Sequence, residues 1–359
     1  MRILYLINAT WSWIKQRPHF LAEGLSDHFD LTVVAKKDFI KYVHNDTEKV
    51  KLHYLKRLPL ECRLSSIVVP LNNILYFIQL RSICKKYDVI WLSNPLQYRF
   101  VKSSLEGKKV IYDCMDDMVE LQKCDKDRRK VLSWEKQLYE RADLVLCSAN
   151  HLRDVLYMKY GQRDVVVVNN AIKDGIDTEA CVIPNNINFD GSKVNITYIG
   201  TIASWMDYDL IMRVLKDNQN VVFNMFGPID GKTVPEIEGV VFHGSIEHKY
   251  VAGIMQKSDI LIMPFIVNDL IKSVNPVKLY EYIYSGKACM APRYGESECF
   301  EDFVYLYDDA ADCSKIIQQL IQNNCPSKQS PEKGKKFALN NTWSKRVEQI
   351  CAEIKKIIK

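Results

Sequence analysis

Two glycine signatures that would assign a function directly are missing from this chain. No G-x-G-x-x-G follows the strand-like run ending at Ile7, which passes into Asn8-Ala9-Thr10-Trp11-Ser12-Trp13, and the matching point in the second half offers only Gly200. No G-x-x-x-x-G-K-[ST] is present either. A nicotinamide dehydrogenase and a P-loop NTPase thereby lose their main support.

Organised cysteine is lacking as well. The eleven cysteines run from Cys62 to Cys351, scattered through Cys181 and beyond, with no C-x-x-C pair, no histidine cluster and an odd total. Reduced, mostly buried thiols in a cytoplasmic protein are expected. There is no signal-peptide core, since Met1-Arg2 leads straight into Ile3-Leu4-Tyr5-Leu6-Ile7, so folding is expected to begin at the first residue. An unbroken apolar run is also missing. The most apolar region, Leu64 to Leu80, carries Pro70, Asn72, Asn73 and Gln79, and reads as a core helix with Leu71, Ile74, Leu75 and Ile78 facing inward, not as a membrane span. Net charge is only +5, which favours an anionic substrate or a negative membrane surface without calling for nucleic acid.

What the chain does have is length and rhythm. Its 359 residues, 47% apolar and 26% charged, suffice for two cores. Short apolar runs alternate with helical patterns in both halves, which predicts an α/β protein with two parallel, doubly wound, Rossmann-like sheets. The first half offers strands at Ile3 to Ile7, Leu31 to Ala35, Val89 to Leu92, Val110 to Tyr112, Leu144 to Cys147 and Val165 to Val168. The second offers Asn195 to Ile199, Val221 to Phe226, Val240 to Phe242, Ile260 to Met263, Ala288 to Ala291 and Phe303 to Leu306. The expected division is residues 1–172, an Asp-, Asn- and Gly-rich linker at 173–193, a second domain at 194–342 and a last helix at 343–359. Two such domains joined once would face each other across a ligand-binding cleft.

The chain is organised around Ser273 to Lys287. A buried-strand signal at Asp259 to Phe265 and a polar loop at Asn268 to Lys272 precede it. Pro276 suits a first helical turn, apolar residues recur at Leu279, Tyr280, Ile283 and Tyr284, and Gly286 suits a C-cap. Lys278 near unpaired helix N–H groups would meet a diphosphate, and Glu281 one turn on would meet ribose hydroxyls. A plain Lys–Glu pair on an amphipathic helix would read the same way.

The segment Asn275-Pro276-Val277-Lys278-Leu279-Tyr280-Glu281-Tyr282, with Ser285-Gly286-Lys287, resembles the donor-binding helix of GT-B glycosyltransferases, family 4 in particular. That family carries two glutamates seven residues apart. Glu281 matches the second, while Ser273 stands where the first would be, so the sugar-ring role of the first has no counterpart. The resemblance implies a donor site comprising Gly200, Thr201, Gly227, His243, Asn275, Lys278, Leu279 and Glu281. The Arg and Lys that the family places shortly after the Gly200 turn are absent, leaving Lys278, with Lys272 as a second candidate, for the diphosphate.

In the first half, Tyr112-Asp113-Cys114-Met115-Asp116-Asp117 sets three carboxylates at a strand's end. General base, stabiliser of positive charge and helix cap are all open roles, and mutual repulsion calls for a compensating group. Gln16-Arg17-Pro18-His19 opens the first helix, with Arg17 able to reach a phosphate and His19 a hydroxyl. Both elements resemble those of bacterial polysaccharide glycosyltransferases, which implies Asp113, Asp116 and Asp117 as the catalytic set, with Asp116 or Asp117 at the reaction centre, and Arg17 and His19 on the acceptor side. Glu135 reads as a solvated helix residue. A metal-binding D-x-D belongs to the other glycosyltransferase fold, so no metal and no cofactor are expected. The implied partners are a nucleotide sugar, with UDP favoured, and a glycan or lipid-linked glycan acceptor, transferred with retention. The alternatives are a GT-B-shaped sugar-nucleotide epimerase and a non-catalytic sugar-nucleotide-binding subunit of an assembly complex. Lysines from Lys328 to Lys359 would favour peripheral contact with the inner face of the cell membrane.

Overall fold

The computed structural model describes residues 1–8, 10–12, 15–36, 49–59, 65–175, 182–231 and 234–358. Ala9, Trp13, Cys62, Leu64, Cys181, residues 176–181 of the expected linker and Lys359 lie outside them.

Among the described residues the first sheet has seven strands: β1 (Arg2–Leu6), β2 (Asp30–Lys36), β3 (Lys51–Leu55), β4 (Val89–Leu92), β5 (Lys109–Cys114), β6 (Leu144–Cys147) and β7 (Val165–Val167). They are parallel, in the order β3-β2-β1-β4-β5-β6-β7. Helices α1 (Arg17–Leu25), α2 (Ser65–Cys84), α3 (Pro95–Val101), α4 (Asp125–Arg141) and α5 (Asn150–Tyr160) connect them. Central strands such as β4 and β6 are buried at every residue, as continuous apolar runs covered on both faces must be. β3 is an addition to the six expected strands; its sequence Lys51-Leu52-His53-Tyr54-Leu55 is half polar because it lies at the sheet edge. Helix α3 is likewise an addition to the expected helices.

Among the described residues the second sheet has six parallel strands, β8 (Val194–Ile199), β9 (Val221–Phe226), β10 (Val240–Gly244), β11 (Ile260–Ile262), β12 (Ala288–Pro292) and β13 (Tyr305–Tyr307). Their order is β10-β9-β8-β11-β12-β13. α6 (Tyr208–Asp217), α7 (Val251–Lys257), α8 (Asp269–Lys272), α9 (Val277–Ser285), α10 (Gly295–Glu298), α11 (Ala310–Gln322) and α12 (Pro331–Leu339) accompany them. Two expectations shift here. The last strand starts at Tyr305, because Phe303 belongs to the preceding turn and stacks on Phe337 at 4.5 Å. The polar stretch after β11 is the short helix α8, started by the Asn268 side chain accepting from the Ile271 N–H, where a loop was expected.

The chain forms two compact units, Met1–Asn170 with Trp343–Lys359, and Ala171–Thr342. The border falls at 170/171, two residues before the expected one, because Ile172 already bonds the second unit: its N–H donates to the Asn341 carbonyl and it bridges Thr342. The described ends of the 173–193 stretch also belong to that unit, with Ile187 buried in its core. The last helix, α13 (Trp343–Ile358), belongs to the first unit. Trp343 stacks on Phe20 of α1 at 5.1 Å, and Gly24 leaves room for Val347, whose Cγ2 lies only 2.6 Å from where a Cβ would stand. Arg346 and Gln349 donate to the carbonyls of Asn169 and Val167.

The structure reverses the expected orientation of α2. Val68, Asn72, Tyr76, Leu80 and Cys84 face the core, while Leu71, Ile74 and Ile78 are exposed. Asn72 decides the matter: buried, its side-chain oxygen accepts from the Leu58 N–H at 2.7 Å and its amide donates to the Leu58 carbonyl, tying the chain after β3 to the helix. Both faces are apolar, and the one that goes inside is the one whose amide finds partners on both of its sides. By length and composition alone α2 could cross a membrane, but its inner face is part of the unit's core.

Candidate functional site

In each sheet the strand order reverses once, between β1 and β4 and between β8 and β11. Loops leaving the carboxyl ends of strands part there, which opens a crevice for ligands. The predicted residues sort into one group in each unit, at or beyond the carboxyl ends of its strands.

In the second unit, β8 exits through Gly200. A Cβ there would stand 2.5 Å from the Tyr198 hydroxyl, and Gly227, at φ +142°, would place one 1.9 Å from the Gly200 carbonyl oxygen. The two exits therefore touch backbone to backbone. The Gly200 N–H donates to Phe226 O, Ile202 N–H to Pro228 O and Gly227 N–H to Gly244 O. Gly200 thus spends its own N–H on the end of β9, and its value is the close approach that a residue without a side chain permits. Gly227→Ala should cost more than the ~1 kcal/mol spanned by tolerated changes at glycine. A thermal melt checks this, and a melting temperature equal to the parent's would mean the loops have slack.

α9 is anchored at the same place. The Ile199 N–H, at the end of β8, donates to the Tyr282 hydroxyl at 3.0 Å, and Leu279, Tyr280, Tyr282 and Ile283 are buried. Pro276 is the N-cap, one position before the expected first turn, and Gly286 ends the helix at φ +74°. Lys278 and Glu281 stand on the outer side of the first two turns, joined by a 2.7 Å ion pair with the lysine side chain 31% exposed. Leu279 is different: its side chain is in the core and its N–H donates to Pro276 O, so it holds the helix and offers a ligand nothing polar. Asn275 is buried and donates to Glu296, itself buried. Ser273 closes α8, its hydroxyl donating to Asp269 O.

His243 lies flat on Phe226 at 4.2 Å, and its Nε2 bonds the Asn224 side-chain oxygen at 2.9 Å. Burial holds its pKa below the usual value. It braces β9 against β10. His248, not anticipated from the sequence, lies within electrostatic reach of Glu281 and Lys278; the protein packed around its ring lowers its pKa, with Glu281 opposing. Thr201 is half-buried and its carbonyl accepts from the Tyr198 hydroxyl.

In the first unit the three carboxylates have three different fates. Strand β5 runs on to Cys114, so Asp113 is a strand residue, fully buried, and meets Arg17 with contacts of 3.0 and 3.3 Å. Arg17, also buried, donates in addition to Val168 O at 2.6 Å. Burial by itself would lower the arginine's pKa, yet the Asp113 charge and hydrogen bonds hold it above the ordinary value. Arg17 is therefore a structural cation and not the phosphate ligand expected of it. His19 is likewise inside: its Nδ1 accepts from the Gln16 N–H at 3.1 Å, which caps α1, and its ring lies 4.8 Å from Trp11.

Asp117 accepts from the Val119 and Glu120 N–H groups and, at 3.0 Å from each oxygen, from Lys159 of α5. It caps a turn. Asp116 alone is exposed, and among the described residues its carboxylate has no hydrogen-bond partner. Crowding by protein pushes its pKa up; Arg17 opposes this, and the negative charges of Asp113 and Asp117 add to it. Glu135, expected in water, is buried, accepting from the Tyr112 and Tyr160 hydroxyls at 2.6 and 2.7 Å. Burial pushes its carboxyl up, and the two phenols partly offset that. No group of three or more His, Cys, Asp or Glu side chains suited to a metal occurs among the described residues.

No protein-family model matches this sequence. Over 253 residues it is 24% identical to a Bacillus subtilis (strain 168) protein named "Putative teichuronic acid biosynthesis glycosyltransferase TuaH", covering 64% of each chain. Over 187 residues it is 24% identical to an uncharacterized 41.2 kDa protein in the cps region of Klebsiella pneumoniae, covering 50% of this chain and 46% of that one. The chain thus matches less than two-thirds of the length of either relative. Among solved structures, sucrose-phosphate synthase from Thermosynechococcus elongatus superposes with a TM-score of 0.76 at 12% identity, over 99% of both chains. Anabaena HepE in complex with UDP-glucose superposes with a TM-score of 0.74 at 11% identity, over 99% of this chain and all of that one. With two doubly wound parallel sheets, the chain has the GT-B fold.

Proposed function

We propose that this GT-B chain is a glycosyltransferase that moves a sugar from a nucleotide-sugar donor, a UDP-sugar foremost, to a glycan or lipid-linked glycan during synthesis of a bacterial surface polysaccharide, with retention of configuration. One observation carries the reading: the Lys278–Glu281 pair on the opening turns of α9, beside the β8–β11 reversal. Binding would part the pair, the ammonium turning to the diphosphate and the carboxylate to the ribose hydroxyls. Asp116 would serve the acceptor hydroxyl or the positive charge developing on the sugar. The name of the Bacillus relative and the UDP-glucose in the HepE complex support the substrate classes.

A thermal-shift and titration series with UDP-, GDP-, ADP- and CMP-sugars tests the reading. UDP should bind saturably, and Glu281→Gln should weaken it roughly 10- to 100-fold, the worth of a charged hydrogen bond. Absence of saturable binding to any of the four nucleotides removes the proposal. Nucleotide release that proceeds without acceptor would point to an epimerase, and binding without turnover on any glycan acceptor to a non-catalytic subunit.

A further inference from the structure

Helix α2 leaves a row of aliphatic side chains in water. Ile67, Leu71, Ile74 and Ile78 are 62%, 44%, 57% and 58% exposed, and their i, i+4, i+7, i+11 spacing lines them up along one face. Arg81 continues the row by a turn, and Lys85 and Lys86 follow just past the helix end, all three exposed. The helix contains no Asp or Glu. Ile74 also lines an adjoining groove of about 340 Å³, walled by Phe77, Phe100 and Trp134. Two cations sit on those rings, Arg99 at 4.3 Å from the Phe100 centroid and Lys102 at 4.9 Å from that of Trp134. Single exposed aliphatics are ordinary, but a continuous row of them with cations and no acid on one helix marks an interaction surface.

The chemistry of that surface selects its occupant. Aliphatic side chains in a row suit the boundary between headgroups and acyl chains, and flexible cations beside them reach phosphates while their stems stay apolar. α2 lies on the unit instead of spanning anything, because Tyr76, Leu80 and Cys84 on its other face are core residues. The C-terminal lysines expected to favour a membrane lack such a row: Ile354 beside them is buried, and Lys356 pairs with Glu353 at 2.7 Å.

We propose that α2 seats the first unit on an anionic lipid bilayer, lying in the plane of the surface with Ile67, Leu71, Ile74 and Ile78 in the acyl boundary and Arg81, Lys85, Lys86 and Arg99 at the phosphates. This deepens the proposed function, since a lipid-linked acceptor would be met at that surface, and rests on it for its purpose only. The full chain is sedimented with phosphatidylcholine vesicles and with vesicles carrying roughly one-third phosphatidylglycerol. Binding to the anionic vesicles should exceed binding to the neutral ones, and I74E/I78E and R81E/K85E should each lower it by about tenfold or more. K355E/K356E should leave it unchanged. Melting temperature and UDP binding of each variant report folding and the donor site separately, so vesicle binding without UDP binding would sink the transferase reading and leave the docking surface standing. The docking proposal is overturned if the parent ignores anionic vesicles or if I74E/I78E binds them as the parent does. It is equally overturned if, without lipid, I74E/I78E turns a dimer into a monomer in sedimentation velocity, which would make the row a contact between copies.

Discussion

Asp116→Asn is expected to lower kcat by about 10²- to 10⁴-fold, the usual range for a lost acid–base group, with UDP affinity unchanged. The neighbouring carboxylates cannot stand in for it, because Arg17 holds Asp113, and Lys159 with two backbone N–H groups holds Asp117. Either role open to Asp116 requires the ionised form. Its pKa is raised, chiefly by the crowding around it, so kcat should fall as pH drops through a value above that of an ordinary aspartate, and the asparagine variant should lack that limb. The sign for stability follows from the same shift. A carboxyl raised on folding is most compatible with the native state when protonated, so ionisation above its folded-state pKa works against folding. Asp116→Asn should therefore melt at the parent's temperature or higher. Parental turnover in that variant would move the reaction centre elsewhere.

The second large effect is on stability. Arg17→Ala should cost about 3–5 kcal/mol, because it leaves the carboxylate of Asp113 buried without a counter-charge. The pair is 4% and 0% exposed, and the arginine also holds the Val168 carbonyl at the end of β7. Removing both charges at once, as in R17M/D113L, should cost less than either single change, since no unpaired ion remains. Denaturant titration of the full chain measures this in the transition of the first unit. A loss under about 1 kcal/mol for Arg17→Ala, an ordinary surface value, would mean that water reaches the pair.

The alternation of strands and helices was legible because parallel strands buried on both faces leave unbroken apolar runs, as in Val89 to Leu92 and Leu144 to Cys147. β3 escaped detection because an edge strand alternates with polar residues. α3 could have been found, since Asn94-Pro95-Leu96-Gln97 is a capping box with proline at the first helical position. α2 carries apolar side chains on two faces, and periodicity cannot choose between them; the face that holds Asn72, its amide bonded to the backbone of Leu58, is the one that goes inside. At the site, the cluster of aspartates was visible but not its division of labour. The groups that separate Asp113, Asp116 and Asp117 are Arg17, 96 residues before Asp113, and Lys159, 42 residues after Asp117, and no local pattern connects them. Glu135 was misplaced for the same reason, its partners Tyr112 and Tyr160 lying on other elements.

The chain leaves its first unit after Asn170 and returns at Trp343, and the two residues just inside those points, Ile172 and Thr342, are bridged side by side. Genetically, then, the candidate nucleotide-binding half is a cassette. A single exchange with matched ends could replace it whole, while α13 stays packed on α1 of the host through Trp343 and Val347.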